Sequence, residues 1–510
     1  MRRSLHHHAQ ALGVAVVATV TTLAGCFTDA SLDREAAQLP VGPATSDTAD
    51  AVGEADTGDT DSGATADPVI GSASWTASSP LDDTYFGWPV ASAGDVNGDG
   101  FDDVVVGARR YDGGIEVEGQ ASLYLGSASG LTTDARWTAE SEQYGGGMGS
   151  AVAAAGDVDG DGFGDVVVGA YGYDNGDDNG GRAYLYMGSP QGLAGDAAWT
   201  AMSDEENGYF GVSAGSAGDV NADGYDDVVV GAYGIENEGT GEGRAYVFLG
   251  SPSGLAATAA WTAWIAESES SRASFGYSAS SAGDVNGDGF ADVVVGAKDY
   301  ENGEYGEGKA EVYSGSSSGL ETSPAWSAEL DEQSAAFGRS VAPAGDVNGD
   351  GYDDVVVGAP GSGSSSFSLG RAYVYLGSQE GLATSAAWIA ESSQEEDYFG
   401  ASVASAGDVD GDGFADVVVG AFYYETGGYQ AGGAFAYLGS AAGLATDPAW
   451  TAAPAQSGQE GASFGASVAS AGDVNGDGYA DVVVGAPAFA SGTSDGGQAF
   501  GYLGLGGGGP

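Results

Sequence analysis

The chain lacks several side chains on which catalysis and metal binding commonly depend. Its three histidines are His6, His7 and His8, and its only cysteine is Cys26. Beyond Cys26 there is therefore no imidazole for acid–base catalysis, no thiol nucleophile and no Cys/His zinc site. Basic residues are also scarce, with 13 Lys and Arg against 74 Asp and Glu and a formal net charge of −61. This charge argues against nucleic acid as a partner, because phosphate binding requires Lys and Arg.

The N-terminal segment is typical of an exported protein. Two arginines precede an uncharged apolar stretch, residues 11–24, that is too short to span a membrane. The stretch ends in Leu23-Ala24-Gly25-Cys26, which resembles the lipobox of bacterial lipoproteins, in which the cysteine is acylated. This resemblance implies a signal peptide at 1–25, lipidation of Cys26 and export across the inner membrane. The protein would be lipid-anchored in the cell envelope, at the outer membrane or the cell surface. Ordinary signal cleavage with an incidental Cys26 is the alternative.

The next segment, residues 26–70, has the composition of a flexible tether. From Phe27 onward it contains ten acidic residues, one basic residue and a single aromatic residue. Such a segment cannot bury enough apolar surface to fold, and its charges repel one another. We therefore expect an acidic, extended stalk between the lipid and the rest of the chain.

From Trp75 onward one unit recurs seven times. Each copy contains Asp-Val-(Asn/Asp)-(Gly/Ala)-Asp-Gly-(Phe/Tyr)-x-Asp, and Val-Val-Val-Gly-Ala follows it. Phe-Gly, or once Met148-Gly149, lies nine residues before each copy. The copies are spaced by 62 or 65 residues and begin at Asp95, Asp157, Asp219, Asp284, Asp346, Asp408 and Asp473.

Each unit predicts four short strands. The first follows Phe-Gly, the second is Asp-Val-Val-Val-Gly-Ala, the third is of the type Arg-Ala-Tyr-Leu-Tyr and the fourth begins with Trp. A β-branched second strand suits a sheet that is covered on both faces, as stacked blades require. The last unit lacks a Trp strand, whereas an unmatched one at Trp75 precedes the first unit. We therefore predict an all-β, seven-bladed β-propeller of four-stranded antiparallel blades over residues 71–510, closed by the Trp75 strand joining the last blade.

The nine-residue repeat motif predicts a Ca²⁺-binding loop in every blade. Positions 1, 3, 5 and 9 carry side-chain oxygens, position 6 is Gly, and position 7 can offer its backbone carbonyl. A single Asp-Gly loop would be read as a turn, but seven with a carboxylate at position 9 indicate up to seven Ca²⁺ ions. An Ala at position 4 of the third loop, Ala222, would strain that turn if its φ is positive. The predicted ligands are Asp95, Asn97, Asp99, Phe101, Asp103, Asp157, Asp159, Asp161, Phe163, Asp165, Asp219, Asn221, Asp223, Tyr225, Asp227, Asp284, Asn286, Asp288, Phe290, Asp292, Asp346, Asn348, Asp350, Tyr352, Asp354, Asp408, Asp410, Asp412, Phe414, Asp416, Asp473, Asn475, Asp477, Tyr479 and Asp481.

These motifs together resemble the FG-GAP repeats of the integrin α-subunit head. Gly-Ala-Pro occurs literally at 358–360 and 485–487, and the resemblance covers roughly residues 71–505. It implies a seven-bladed propeller with Ca²⁺ between the first and second strands of its blades, and a role in adhesion or ligand recognition. Integrins fill only some blades with calcium, whereas all seven are equipped here.

The loops that vary in sequence fall on one face of the predicted propeller. We name each connection by the two strands that it joins, so that a 4–1 loop leads from the fourth strand of one blade to the first strand of the next. The calcium loops and the uniform 3–4 turns would share one face, whereas the 2–3 and 4–1 loops would form the other. Tyr, Asn and acidic groups there suit contacts with a protein or a glycan, although solvated, repeat-derived loops are the alternative. The candidate ligand-binding residues are Arg110, Tyr111, Tyr173, Tyr233, Tyr305 and Tyr424.

The favoured function is a monomeric, non-enzymatic recognition or adhesion module that contacts the membrane only through its lipid. A propeller-based polysaccharide lyase or hydrolase is an alternative, since paired carboxylates perform glycosidase chemistry. A purely structural surface protein is the other. The near-identity of the blades disfavours an enzyme, because no blade carries a distinct set of candidate catalytic residues.

Overall fold

A computed structural model of the protein describes residues 69–505, apart from residues 175, 177, 178, 204, 237–240, 266–271, 363–367, 427, 428, 455–458, 460 and 491–495. The predicted signal peptide, Cys26 and residues 27–68 of the predicted tether lie outside the described residues. Over the described ranges all regular secondary structure is β-strand. This part of the chain contains no helix with the length and apolar character needed to cross a membrane.

The strands form seven sheets of four, which we call blades 1 to 7. A short extra hairpin, β24–β25, lies between the second and third strands of blade 6, and β1 belongs to blade 7. In chain order the strands are β1 (Trp75–Ser78); in blade 1, β2 (Phe86–Gly94), β3 (Asp103–Ala108), β4 (Gln120–Tyr124) and β5 (Trp137–Glu140); in blade 2, β6 (Met148–Gly156), β7 (Asp165–Ala170), β8 (Arg182–Tyr186) and β9 (Trp199–Met202); in blade 3, β10 (Ser213–Gly218), β11 (Asp227–Ala232), β12 (Gly241–Phe248) and β13 (Trp261–Ala263); in blade 4, β14 (Arg272–Gly283), β15 (Asp292–Ala297), β16 (Lys309–Tyr313) and β17 (Trp326–Glu329); in blade 5, β18 (Ser340–Gly345), β19 (Asp354–Ala359), β20 (Arg371–Tyr375) and β21 (Trp388–Glu391); in blade 6, β22 (Ser402–Gly407), β23 (Asp416–Ala421), β24 (Glu425–Thr426), β25 (Tyr429–Gln430), β26 (Gly433–Tyr437) and β27 (Trp450–Ala452); in blade 7, β28 (Ser467–Gly472), β29 (Asp481–Ala486) and β30 (Gln498–Tyr502).

Within each blade the strands are antiparallel and lie side by side in chain order, except that β1 lies beside β30 in blade 7. The first strands contact one another around the ring, in the order β2, β6, β10, β14, β18, β22, β28 and back to β2. Blades 3 and 4 are also joined by a short parallel pairing between β12 and β14. The four predicted strands of each unit are therefore confirmed, with the first strand innermost and the Trp strand outermost.

The second strands form the centre of each blade. All six residues of β3 are buried, and the same holds for the second strand of every other blade. The Val-Val-Val run packs against neighbouring blades on both faces, as a β-branched strand in a stacked sheet does. The following Gly allows the closest approach, because a Cβ on Gly358 would lie 1.9 Å from the carbonyl oxygen of Gly400 in the next blade.

The ring closes through the first strand of the chain. Strand β1 pairs with β30, with Trp75 opposite Gly501 and Ser78 opposite Gln498, which confirms the predicted closure. Trp75 Nε1 donates a hydrogen bond to the Thr132 carbonyl of blade 1 at 2.8 Å, and its ring packs edge-on to Tyr124. The same edge-on contact, with ring centroids 4.7–5.0 Å apart, recurs at all seven junctions between blades. The junction of blade 7 with blade 1 is thus built like the other six.

The packed structure begins slightly before the boundary chosen from sequence. Val69 and Ile70, the last residues of the predicted tether, are buried against blade 7, and Ile70 forms a bridge with Gly504. The Leu505 N–H donates to the Val69 carbonyl at 2.9 Å. The two ends of the described chain are therefore hydrogen-bonded to each other.

Candidate metal centres and the opposite loop face

Each connection between a first and a second strand is folded by its own side chains. In loop 1 the position-1 carboxylate, Asp95, accepts hydrogen bonds from the N–H groups of Gly98 at 2.7 Å, Asp99 at 3.1 Å and Gly100 at 2.8 Å. Asn97 Oδ1 accepts from the Asp99 N–H at 2.9 Å. Asp and Asn favour such local side-chain-to-backbone turns. The loop therefore curls around the side-chain oxygens at positions 1, 3 and 5.

The position-9 aspartate holds the loop to the rest of its blade. In loop 2 Asp165 is buried, and its Oδ2 accepts the Val158 N–H at 3.0 Å. Its Oδ1 accepts the N–H of Gly188, in the 3–4 turn, at 2.8 Å. The same two hydrogen bonds occur in all seven loops. Each position-9 carboxylate thus links the start of the loop, the second strand and the 3–4 turn.

Carboxylates converge most closely in the two loops that carry Asp at position 3. In loop 2, oxygens of Asp157, Asp159 and Asp165 lie within 4.8 Å of one another, and loop 6 has a similar group at positions 1, 3 and 5. Burial raises the pKa of Asp165 to about 7, despite its two backbone N–H donors. Within the described ranges, no ion pair joins a carboxylate of the seven acidic loops to Lys or Arg. A set of hard oxygen donors without a protein counterion fits a divalent cation, and these groups could hold one.

The seven loops that carry the predicted ligands share one backbone conformation at position 4. Positions 1 and 3 are followed by a left-handed residue at position 4, with Gly φ of 70–75° in six loops. In the third loop this residue is Ala222, with φ of 55°, so the turn requires positive φ of an alanine. Position 7 contributes an aromatic ring that lies against the preceding loop; a Cβ on Gly160, for example, would be 2.7 Å from the Tyr225 ring.

Neighbouring loops are hydrogen-bonded to each other all around the ring. The N–H of position 8 donates to the position-1 carbonyl of the preceding loop, at 2.9–3.2 Å, at every junction. In three loops position 8 is itself an aspartate, and its carboxylate also accepts the position-1 N–H of the preceding loop. These three aspartates are Asp102, Asp226 and Asp353. The repeat motif leaves position 8 unspecified, so they were not predicted as functional residues, although their acidic side chains are evident in the sequence.

The six residues proposed for ligand binding differ in their surroundings. The Tyr305 side chain is 67% exposed, whereas Tyr111, Tyr173 and Tyr424 are partly buried against blade cores. Arg110, in the 2–3 loop of blade 1, is exposed and lies over the ring of Tyr85, in the preceding 4–1 loop, to whose hydroxyl its Nη1 donates at 3.2 Å. Arg110 and Tyr111 share the 2–3 loop of blade 1, and the other candidates lie in the 2–3 loops of four further blades.

The sixth, Tyr233, belongs to a row of aromatic rings that sequence reasoning missed. It stacks parallel to Tyr209 with ring centroids 4.9 Å apart, and Tyr209 in turn contacts Tyr171 of blade 2. On its other side Tyr233 meets Tyr277 of blade 4, over which Lys298 Nζ lies at 4.7 Å. All four tyrosines are half-buried. The row crosses three blades on the face opposite the loops that carry the carboxylates.

The repeat geometry agrees with a known family. The model of the FG-GAP repeat matches residues 86–124, 148–186, 210–248, 275–311, 337–375, 399–437 and 464–502, which together exceed half of the chain. This chain belongs to the FG-GAP repeat family. Each match runs from the first strand of a blade, through the acidic loop, to or near the end of the third strand, so the acidic loops are part of the FG-GAP repeat itself.

The FG-GAP chain is also similar to integrin α-subunits. It is 32% identical over 174 residues to integrin alpha-5 of Xenopus laevis, 37% identical over 164 residues to integrin alpha-V of Gallus gallus and 32% identical over 254 residues to integrin alpha pat-2 of Caenorhabditis briggsae. These alignments cover 32%, 30% and 46% of this chain, and 16%, 15% and 20% of those proteins. The chain thus spans a fifth or less of these relatives.

Proposed function

We propose that this FG-GAP propeller is a calcium-stabilised, lipid-anchored extracytoplasmic recognition or adhesion module that binds a protein or a glycan through its 2–3 and 4–1 loops. The observation that carries the proposal is the ring of seven acidic loops on one face, opposite a face of varied, aromatic-bearing loops. Similarity to integrin α-subunits supports an adhesive or recognition role at a cell surface.

Calcium is the cation that best suits the loops. Carboxylate and amide oxygens at positions 1, 3, 5 and 9, with the position-7 carbonyl, form an all-oxygen donor set, which Ca²⁺ accepts in flexible geometry and Mg²⁺ rarely does. A bound ion would supply the positive charge that, within the described residues, no Lys or Arg side chain brings to these carboxylates. Up to seven ions would offset fourteen of the chain's formal negative charges, so folding should be coupled to calcium.

Recognition is assigned to the face on which the blades differ. The 3–4 turns and acidic loops repeat nearly the same residues in each blade, whereas the 2–3 and 4–1 loops differ in length and sequence. Exposed Tyr305 and the half-buried row around Tyr233 offer apolar rings with polar edges, which suit sugar stacking and protein contacts alike. Binding sites commonly lie on such loops, held by a rigid scaffold.

The anchor is proposed from the lipobox-like Leu23-Ala24-Gly25-Cys26. Acyl chains on Cys26 would hold the protein at the envelope, with the acidic segment as a spacer. The proposed role is non-catalytic and monomeric. Its support is that the seven blades use their acidic side chains in the same way, and that every blade junction is already satisfied within one chain.

Metal counting and thermal unfolding of the full chain test the calcium part. We expect several bound Ca²⁺ per chain and a large fall in Tm when a chelator is added, because ligands that bind only the folded state stabilise it by mass action. Mg²⁺ at the same concentration serves as the control and should restore little. An unchanged transition in chelator and no bound calcium would show that the loops are only turns.

A binding screen on glycans and surface proteins, with calcium present, tests recognition. We expect Tyr305→Ala to weaken binding of any ligand found, whereas Gln191→Ala, an exposed change on the 3–4 turn of blade 2, should leave it unchanged. The reverse pattern would assign recognition to the calcium face. Cleavage of a polysaccharide by the calcium-loaded protein would instead support a lyase or hydrolase.

A further inference from the structure

The first ligand position of each loop is held by the next blade. The position-8 N–H of the next loop donates to the position-1 carbonyl at 2.9–3.2 Å in all seven junctions. The glycine that precedes position 1 has positive φ and lies against the position-8 residue; a Cβ on Gly156, for example, would be 2.2 Å from Asp226 Oδ2. Position 8 therefore fixes the backbone from which the position-1 carboxylate extends.

Three junctions hold this position more firmly than the other four. Asp226 Oδ2 accepts the N–H of Asp157 at 2.9 Å, so both backbone polar groups of this residue are bound by blade 3. Asp353 does the same for Asp284, and Asp102 for Asp473, again at 2.9 Å. At the remaining junctions position 8 offers no side-chain acceptor, because it is Gly164, Ala291, Ala415 or Ala480.

Fixing this backbone bears directly on the metal site. The position-1 carboxylate organises its loop by accepting N–H groups from positions 4 to 6, as Asp157 does from Gly160, Asp161 and Gly162 at 2.8–3.0 Å. A ligand already held in place loses less conformational freedom when an ion binds, which raises affinity. The additional carboxylate also adds negative charge beside the preceding loop, which favours a cation electrostatically.

We propose that Asp102, Asp226 and Asp353 are positioning residues for the calcium sites of the preceding blades, namely loops 7, 2 and 4. The seven sites then comprise three pairs of loops, in each of which the second loop supplies the positioning aspartate of the first. The pairs are loops 7 and 1, 2 and 3, and 4 and 5, and loop 6 is a single site. The inference rests on the proposed binding of calcium and adds a division of the sites that the motif does not contain.

Calcium isotherms of the full chain, measured by competition with a chromophoric chelator, test this assignment. Asp226→Ala should weaken one site about tenfold, because the Asp157 backbone is no longer held in place before the ion binds. Asp226→Asn keeps an acceptor oxygen and should restore most of the affinity. Ala291→Asp is the matched gain-of-function variant. It places a carboxylate at position 8 of loop 4, beside position 1 of loop 3, and should tighten the loop 3 site.

Two ligand substitutions identify which site responds. Asp161→Ala should abolish the loop 2 site, and Asp223→Ala the loop 3 site. In the Asp161→Ala protein, Asp226→Ala should have no further effect on the remaining sites, because its target is gone. In the Asp223→Ala protein it should still weaken one site. The opposite pattern would show that Asp226 serves its own loop and would overturn the inference.

Unfolding in chelator separates positioning from general structural support. Asp226→Ala should lower the stability of the calcium-loaded chain more than it lowers the stability of the metal-free chain. Equal losses in both conditions, with an unchanged isotherm, would overturn the inference and leave the proposed calcium role intact. A parent chain that binds no calcium would overturn both.

Discussion

The position-9 aspartate of each loop has two roles that substitution can separate, and loop 6 is suited to the experiment. Asp416 is fully buried and accepts the N–H groups of Val409 at 2.9 Å and Gly439 at 2.8 Å. Asp416→Ala leaves both buried N–H groups without a partner, at about 1–3 kcal/mol each, so we expect a loss of about 4 kcal/mol in the free energy of unfolding even without metal. That loss is a large share of the free energy of unfolding of a typical domain, which is roughly 5–15 kcal/mol.

Asp412, at position 5 of the same loop, is the matched control. Its carboxylate is exposed and accepts one N–H, from Phe414 at 3.0 Å, which water can replace. Asp412→Ala should therefore cost less than about 1 kcal/mol without metal. Both variants should lose the loop 6 ion, so each should gain less stability from calcium than the parent chain does.

Urea denaturation in chelator and in calcium measures both effects. Burial raises the pKa of Asp416 to about 7, against the N–H groups of Gly439 and Val409, so the metal-free comparison belongs at about pH 4, close to the pKa of an aspartate in the unfolded chain. At that pH the carboxyl is neutral in the folded chain and costs little to protonate on folding, so the substitution relieves little of the penalty for burying it. Equal costs for the two variants in chelator would refute the structural role assigned to position 9, and unchanged calcium stabilisation in Asp412→Ala would refute the metal site.

Three further substitutions, one of them with a matched control variant, test the packing and the electrostatics. Gly358→Ala would bring a Cβ to 1.9 Å from the backbone of blade 6 and should cost about 3 kcal/mol by thermal unfolding, whereas Gly195→Ala, with no atom within 4 Å, should stay within about 0.5 kcal/mol. Ala222→Gly should raise stability by about 1 kcal/mol because φ is 55° there, and an unchanged Tm would contradict the strain. Burial raises the pKa of Asp397 to about 6, so this carboxyl favours folding at low pH and its contribution is lost as pH rises from about 4 through 6. Asp397→Asn should remove that pH dependence, about 3 kcal/mol between pH 4 and 8 in calcium, and parallel stability profiles of the two proteins would contradict it.

The local elements followed from the sequence because their causes are local. A few consecutive residues were enough to predict each element. These were the β-branched run of the second strand, the Gly and Asp of the acidic loops, and the Trp that begins the outermost strand. Even the closure by Trp75 could be predicted, since one strand was missing at one end of the repeats and one was left over at the other. The period of 62 or 65 residues supplied the number of blades.

Contacts between blades could not be predicted in the same way. Asp226 and the Asp157 N–H that it binds are 69 residues apart, and Asp102 and Asp473 are separated by 371, so no short-range pattern relates them. The residue before each Phe-Gly was also unexpected: Tyr85 and its equivalents have left-handed φ in all seven units, a conformation that non-glycine residues disfavour. Both features depend on how closely one blade approaches the next.

The division of labour between the two faces follows from where the polar groups are used. On the face of the acidic loops, backbone groups hydrogen-bond to neighbouring loops and to the 3–4 turns in the same way at each blade, so this face offers little by which one ligand could be distinguished from another. On the opposite face the loops differ from blade to blade in length and sequence. Under the proposed function, calcium would therefore control recognition without touching the ligand, by fixing the relative positions of the blades whose far loops bind it.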